Sequence, residues 1–265
     1  MLRKTPTSAI NVEEEVSVLK RDGILRIENF LSDEDFAAIQ AEYLALYPGF
    51  KTSSRVTIPV QKRQFVSTSR LDAPESIDFK DSQFHRLIAK NDKLNAVIMQ
   101  ASKRKINLMP TGAYTEEFYL KEDLGEKSQT GVVNPHYDVP YHSYKAFFYI
   151  EDVDESNGAF HYSTGSNRFN LRRLLLEYFT SINIASKNKE IQVDFSQTDM
   201  FKTYRDSMTA ITGKKNTLVI FDAMGIHQRG SFSVDTPRRM VQVCYRPIES
   251  FANKSVSMIK RLVNS

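Results

Sequence analysis

The chain has 265 residues, of which 41% are hydrophobic and 26% charged, with a formal net charge of +4; this suits one globular domain that buries a core without covalent staples. No 18-residue apolar run occurs, which excludes a spanning helix, and the opening MLRKTPTSAINVEEE has no apolar segment of the secretory kind. Basic residues are scattered (Lys103-Arg104-Lys105, Arg172-Arg173, Lys214-Lys215, Arg238-Arg239) rather than gathered in one stripe, which disfavours a nucleic-acid partner and leaves a bias toward small anions.

The first third, residues 1–103, reads mainly helical. Val12 to Lys20 forms a short charged helix stopped by Asp22-Gly23, and ILRIENF (24–30) reads as a strand. Ser32 is an N-cap with the Asp35 carboxylate close behind, and Phe36, Ile39, Tyr43 and Leu44 follow at helical spacing. A second helical stretch runs from Phe84 to Ser102, broken near Asn91-Asp92, with His85 at its surface. Between them lies Lys51 to Lys80, polar and without periodicity, the kind of long segment that is often a functional loop.

From about residue 104 short apolar and aromatic runs recur between turn signals: INLM (106–109), EEFYL (116–120), YKAFFYIEDV (144–153), GAFHYS (158–163), NTLVIFD (216–222) and RRMVQVCYRP (238–247). This spacing predicts an antiparallel β-sandwich or barrel over 104–249. It is interrupted by a helical pattern at Leu171 to Ile182 and a polar insert at 185–212 that contains one more helix. A tail helix occupies 250–265, with Val256, Ile259, Leu262 and Val263 on one face. The lone Cys244 permits no internal disulfide and fits a reducing, cytoplasmic setting. Its place in MVQVCY suggests a buried, inert thiol.

Chemistry concentrates in NPHYDVP. On an extended segment, positions i and i+2 share a side, so His136 and Asp138 can converge on one ion. HxD alone is weak evidence. His227 strengthens it, because it follows the strand-like NTLVIFDAMGI. Two imidazoles and a carboxylate on rigid strands form the facial triad of non-haem Fe(II) oxygenases, whereas zinc prefers a closed tetrahedron or three ligands and one water. The competing reading is a structural histidine at a strand end. Arg238 begins the next strand after Pro237, and a strand returning antiparallel brings its guanidinium beside the pocket, where its fork suits a carboxylate. A surface arginine beside Arg239 is the alternative.

The order PHYD, YIEDVDESNGAFHYSTGSNR, GKKNTLVIFDAMGIHQRG and TPRRMVQVCYRP, preceded by DGILRIENFLSDEDFAAIQAE, resembles the phytanoyl-CoA dioxygenase family over residues 22 to 247. The resemblance implies a double-stranded β-helix (jelly-roll) core with N-terminal and inserted helices. It implies Fe(II) held by His136, Asp138 and His227, 2-oxoglutarate gripped by Arg238, and O₂ as the second co-substrate. Asn157-Gly158 and Thr164-Gly165-Ser166 match the family's turns and read as structural. Related halogenases replace the carboxylate ligand with a small residue, so the presence of Asp138 favours hydroxylation over halogenation.

Two departures from the family stand out. Arg229 occupies a position that is often a small hydroxyl residue; its parity with His227 lets it reach co-substrate or an anionic substrate, and an outward arginine is the alternative. Gly213-Lys214-Lys215-Asn216 replaces the usual Gly-Asp turn, which is expected to alter only a surface turn. Tyr119 is the candidate for a second co-substrate contact, against a core role. His142 and His161 are candidates for substrate or ligand-supporting contacts. The substrate expected is a small molecule, with Arg55, Lys62, Arg63 and Arg70 hinting at an anionic group. The rivals are a silent jelly-roll that binds a metal or ligand, and a zinc or cupin-type enzyme on the same strands.

Overall fold

Three glutamates, Glu13, Glu14 and Glu15, open helix α1 (Glu13–Asp22) and Lys20 and Arg21 close it, each charge matched to the nearer end of the helix dipole. Gly23 ends it in the left-handed conformation (φ 77°), its N–H bonded to the Leu19 carbonyl at 2.9 Å. The computed structural model describes residues 10–46, 52–53, 65–69, 82–102, 106–120, 135–139, 141–171, 173–175, 178, 199–230, 233, 236 and 238–247, and every count refers to these. The tail helix expected at 250–265 and the basic residues Arg55, Lys62, Arg63 and Arg70 lie outside them. No described helix is long and apolar enough to cross a membrane.

Strand β1 (Ile24–Ile27) is shorter than the expected 24–30, because Asn29 takes φ 48° and breaks the extended run. Helix α2 (Asp33–Leu46) starts as expected, with the Asp35 N–H donating to Ser32 Oγ at 3.2 Å. Phe36, Ile39 and Tyr43 are buried on its inner face, but Leu44 is 68% exposed. One residue beyond Tyr43 lies about 100° further round the helix, so Leu44 leaves the core stripe. The next helix is broken as expected: a π-helical turn (His85–Ala89) precedes α3 (Asp92–Ser102), whose start Asn91 caps by accepting from the Leu94 N–H at 3.1 Å. The Lys90 N–H reaches back five residues to the His85 carbonyl. This wide turn shifts the helical phase, so His85 is buried with Leu87, Ile88 and Ala89 rather than lying at the surface.

The β-rich region forms two antiparallel sheets. The larger has the order β1-β8-β5-β10-β4-β3-β2 and the smaller β7-β6-β9. Their members are β2 (Thr52–Ser53), β3 (Phe65–Ser69), β4 (Ile106–Leu120), β5 (Tyr144–Tyr149), β6 (Phe160–Ser163), β7 (Met208–Ile211), β8 (Leu218–Asp222), β9 (His227–Arg229) and β10 (Arg238–Pro247). Helix α4 (Asp199–Asp206) is the extra helix of the polar insert. The two runs expected at 106–109 and 116–120 fall in the single strand β4. Their pairing with β10 jumps from Val243↔Ala113 to Tyr245↔Leu108, leaving Pro110 in the unmatched stretch, where its missing N–H costs no ladder bond.

The central strands are buried on both faces. On one face Ala146, Phe148, Leu218, Ile220, Val241 and Val243 pack against α1, α2 and α3. On the other, Phe147, Tyr149, Val219, Phe221 and Met240 meet Phe160 and Tyr162 of the smaller sheet. This facing pair of antiparallel sheets is the expected jelly-roll core. The turn at Lys214 to Asn216 does more than cross the surface. Lys214 binds Asp152 at 2.8 Å, but Asn216, buried at φ 64°, clamps the chain before α2 by accepting from the Leu31 N–H and donating to its carbonyl, both at 2.9 Å.

Candidate metal centre

His136 and His227 are brought together by backbone before side chains are considered. They form an isolated antiparallel bridge in which His136 N–H donates to the His227 carbonyl at 2.9 Å and the reverse bond is 2.8 Å. Two residues on, the Asp138 N–H donates to the Ala223 carbonyl at 3.0 Å. The HxD segment is thus threaded along the β8–β9 corner, and its alternation turns both ligand side chains to one side.

The result is a compact donor set. One ligand atom from each of His136, Asp138 and His227 lies within 4.8 Å of the others. His136 Nε2 stands 3.8 Å from Asp138 Oδ1 and His227 Nε2 stands 3.7 Å from Asp138 Oδ2. The His227 Nδ1 is engaged by the Gly225 carbonyl at 2.8 Å; this contact requires Nδ1 to carry the proton, which leaves the Nε2 lone pair for a metal. Burial, reinforced by the His136 ring, lowers His227 to about 3, so the imidazole is neutral at physiological pH. Burial alone would raise Asp138, but the imidazoles and the Lys145 ammonium outweigh it and bring the carboxyl down to about 2. Two imidazoles and an ionised carboxylate fit a divalent ion of the iron type.

The wall behind His227 is aromatic. Tyr162 lies parallel to its ring (9° between planes, centroids 6.4 Å apart), and Phe160 and Phe221 flank it at 5.4 and 5.5 Å. Tyr162 is itself pinned, its hydroxyl donating to the Asp222 carbonyl at 3.0 Å. Ser166 Oγ accepts from the Ile226 N–H at 2.7 Å, and Asn157 closes its turn by accepting from the Asp154 N–H at 3.0 Å; both motifs are structural, as expected.

Arg238 and Arg229 are 4% and 9% exposed, which removes the surface alternative for each. Arg238 donates from Nη1 to the Gly158 carbonyl, while its neighbour Arg239 turns to the other face and pairs with Glu151 at 2.7 and 2.8 Å. Arg229 stands opposite Phe160 in the β6–β9 ladder, so both buried arginines border the segment 158–160. Tyr119 pairs with Val66, and Phe118 rather than Tyr119 is opposite Arg238; the Tyr119 side chain lies outside the described residues. His142 binds the buried Asp222 through Nδ1 at 2.5 Å, and His161 Nδ1 meets the Ala159 carbonyl at 2.9 Å. Cys244 is half-buried, with Gln242 Nε2 3.1 Å from its sulfur; the bulge opposite β4 gives it more exposure than its apolar run suggests.

Two residues of the site escape the sequence reading. Lys145 places its ammonium 2.7 Å from Asp138 Oδ2, and its signal was a lone lysine in an apolar strand. Arg173 is fully buried with its guanidinium 4.4 Å from the centre of the Tyr137 ring, holding the residue between the two ligands from behind. Its helix starts at Asn170, which accepts from the Arg173 N–H at 2.8 Å.

Solved structures with this fold include the epimerase SnoN in complex with Fe3+, alpha ketoglutarate and nogalamycin RO, at 16% identity and TM-score 0.61, covering 89% of this chain and 83% of that one. HygX from Streptomyces hygroscopicus with nickel and 2-oxoglutarate bound is 15% identical at TM-score 0.57, covering 90% and 88%. EctD from S. alaskensis with bound Fe is 16% identical at TM-score 0.54, covering 92% and 79%. No match was found among curated proteins. The profile of the phytanoyl-CoA dioxygenase (PhyH) family matches residues 19–240. That span holds His136, Asp138 and His227, and the chain belongs to the phytanoyl-CoA dioxygenase family of non-haem iron, 2-oxoglutarate-dependent enzymes.

Proposed function

We propose that this protein hydroxylates an unactivated C–H bond of a small anionic molecule, with Fe(II) held by His136, Asp138 and His227 and 2-oxoglutarate held by Arg238. The observation that carries this reading is the convergence of two imidazoles and one carboxylate within 4.8 Å at the end of the inter-sheet core. The bound iron supplies activation of O₂ coupled to decarboxylation of 2-oxoglutarate to succinate and CO₂.

The chain's own residues do the rest. The Gly225 carbonyl fixes the His227 tautomer, and the ionised Asp138 balances part of the metal's charge. Phe147, Phe160, Phe221 and Tyr162 form a dry wall, which strengthens every charge interaction inside it. Arg238 presents a fork to the distal carboxylate of 2-oxoglutarate. Arg229, two positions past the distal histidine on the same strand face, adds a second buried cation for an anionic group of substrate or co-substrate. The SnoN and HygX structures support the cofactor assignment, since each holds a metal together with 2-oxoglutarate or alpha ketoglutarate. A metal-loaded enzyme offered a panel of small carboxylates and phosphates should consume O₂ and release succinate with at least one of them, and Asp138→Ala and His136→Ala should release none above background. Equal turnover in either variant removes the triad assignment. Bound zinc with no 2-oxoglutarate-dependent O₂ uptake points instead to a hydrolytic or isomerising enzyme.

A further inference from the structure

Lysine is rarely found on the inner face of a jelly-roll, yet β5 puts one there. Within Tyr144–Tyr149, Phe147 and Tyr149 face the smaller sheet while Tyr144, Ala146 and Phe148 face the helices. Strand alternation assigns Lys145 to the side of Phe147 and Tyr149, where it stands opposite Cys244 and Phe221 in the ladders. Its Nζ lies 2.7 Å from Asp138 Oδ2, nearer than either imidazole nitrogen approaches that carboxylate. Only 27% of the lysine side chain and 21% of the aspartate side chain are exposed, so the pair is more strongly coupled than a surface ion pair.

Without metal, the Lys145 ammonium is the cation set closest against the Asp138 carboxylate among the described residues. A divalent ion arriving between the three ligands takes over that role. Ammonium and dication then flank one carboxylate and repel each other, so the Lys145–Asp138 pair is worth less with metal than without it. Linkage makes this reciprocal: whatever factor the metal removes from the ion pair, the ion pair removes from metal affinity.

We propose that Lys145 is a built-in counter-cation for Asp138, which keeps the ligand set assembled in the metal-free protein and loosens the metal that later binds. The inference rests on the triad being the metal site. It makes Lys145 a positioning residue whose removal moves stability and metal affinity in opposite directions, a pattern that lost packing alone does not produce.

The test uses the full chain freed of metal, with anaerobic Co(II) titration followed by its visible absorption, and thermal melts with and without Co(II). Lys145→Met, which keeps the length of the side chain without its charge, should melt about 2–6 °C lower than wild type when metal-free. It should bind Co(II) about tenfold more tightly. Lys145→Gln, which retains a donor but no charge, should shift both readouts in the same directions, and decides the matter alone if the methionine variant does not fold. Unchanged or weaker Co(II) affinity in the folded variants, or an unchanged metal-free melt, overturns the proposal while leaving the triad intact. If wild-type and His136→Ala proteins bind Co(II) equally, the triad reading fails first and the role of Lys145 with it.

Discussion

Gly225 offers the sharpest probe of how packing sets the chemistry of the site. A Cβ built on it would lie 1.8 Å from the Tyr162 hydroxyl oxygen and 2.4 Å from Cζ. Tyr162 cannot yield easily: it is fully buried, parallel to the His227 ring, and bonded through its hydroxyl to the Asp222 carbonyl. Gly225→Ala must therefore displace the ring or the backbone. Forcing a methyl into a packed core costs about 1–3 kcal/mol. Losing the buried hydroxyl bond and leaving the Asp222 carbonyl without it adds about 1 kcal/mol or more. A combined loss of about 3 kcal/mol corresponds to a fall in Tm of about 6–12 °C. The same shift moves the Gly225 carbonyl that holds His227 Nδ1, so divalent-metal affinity should fall about tenfold or more. Calorimetry of the metal-free protein and Co(II) titration read the two effects separately. Adding Tyr162→Phe removes the atom in closest conflict, so the double variant should be less destabilised than the sum of the singles, with a coupling of about 0.5–3 kcal/mol. A Gly225→Ala protein with wild-type melting and metal affinity would refute the packing argument, and strict additivity would show that the two residues do not meet.

Two further outcomes follow from the site. Arg238→Ala should raise the KM for 2-oxoglutarate far more than it changes kcat, because its fork binds ground and transition states alike; an unchanged KM would move the carboxylate to Arg229, and Arg229→Ala would then show the effect. His227 sits at about 3 in the folded protein against an ordinary histidine value of 6.5. The unfolded chain therefore takes up a proton across that interval while the folded one does not, so metal-free stability should fall as pH is lowered from 6.5 toward 3. His227→Gln should flatten that slope; an identical slope would show that the proton is taken up elsewhere.

The convergence of His136, Asp138 and His227 was legible because their order along the chain supports what each signals only weakly alone. HxD on an extended segment puts two donors on one side, and His227 follows an apolar run that reads as a strand. Gly23 and Ser32 were legible because a left-handed cap and an N-cap act within one turn of the helix. Lys145 and Gly225 act across the fold. Apart from Lys145, YKAFFY is apolar on both alternating sides because both faces of β5 are covered, so nothing in it shows which face meets the HxD loop. Gly225 reads as a turn glycine until Tyr162, from the other sheet, is laid against it. His85 was misplaced because a π-helical turn shifts the helical phase without any change in residue type. β7 was missed because MTAI is only four residues long and lies between polar Ser207 and Thr212 inside the insert.

The same division accounts for how the site can exist before a metal arrives. The backbones of His136 and His227 satisfy each other, Asp138 is tied to Ala223, and Ala223 in turn donates to the Ser143 carbonyl at 2.6 Å. Asp222, buried at the end of β8, accepts from the N–H groups of Ser143 and Met224 at 3.3 and 3.1 Å and binds His142. These bonds close the loops on both sides of the ligands without using a ligand side chain. The fold therefore fixes where the donors stand, and the cost left over is electrostatic, a carboxylate held mostly out of water. Lys145 meets that cost in the metal-free protein. This is why its removal, unlike that of Gly225, should destabilise the empty protein while strengthening its grip on the metal.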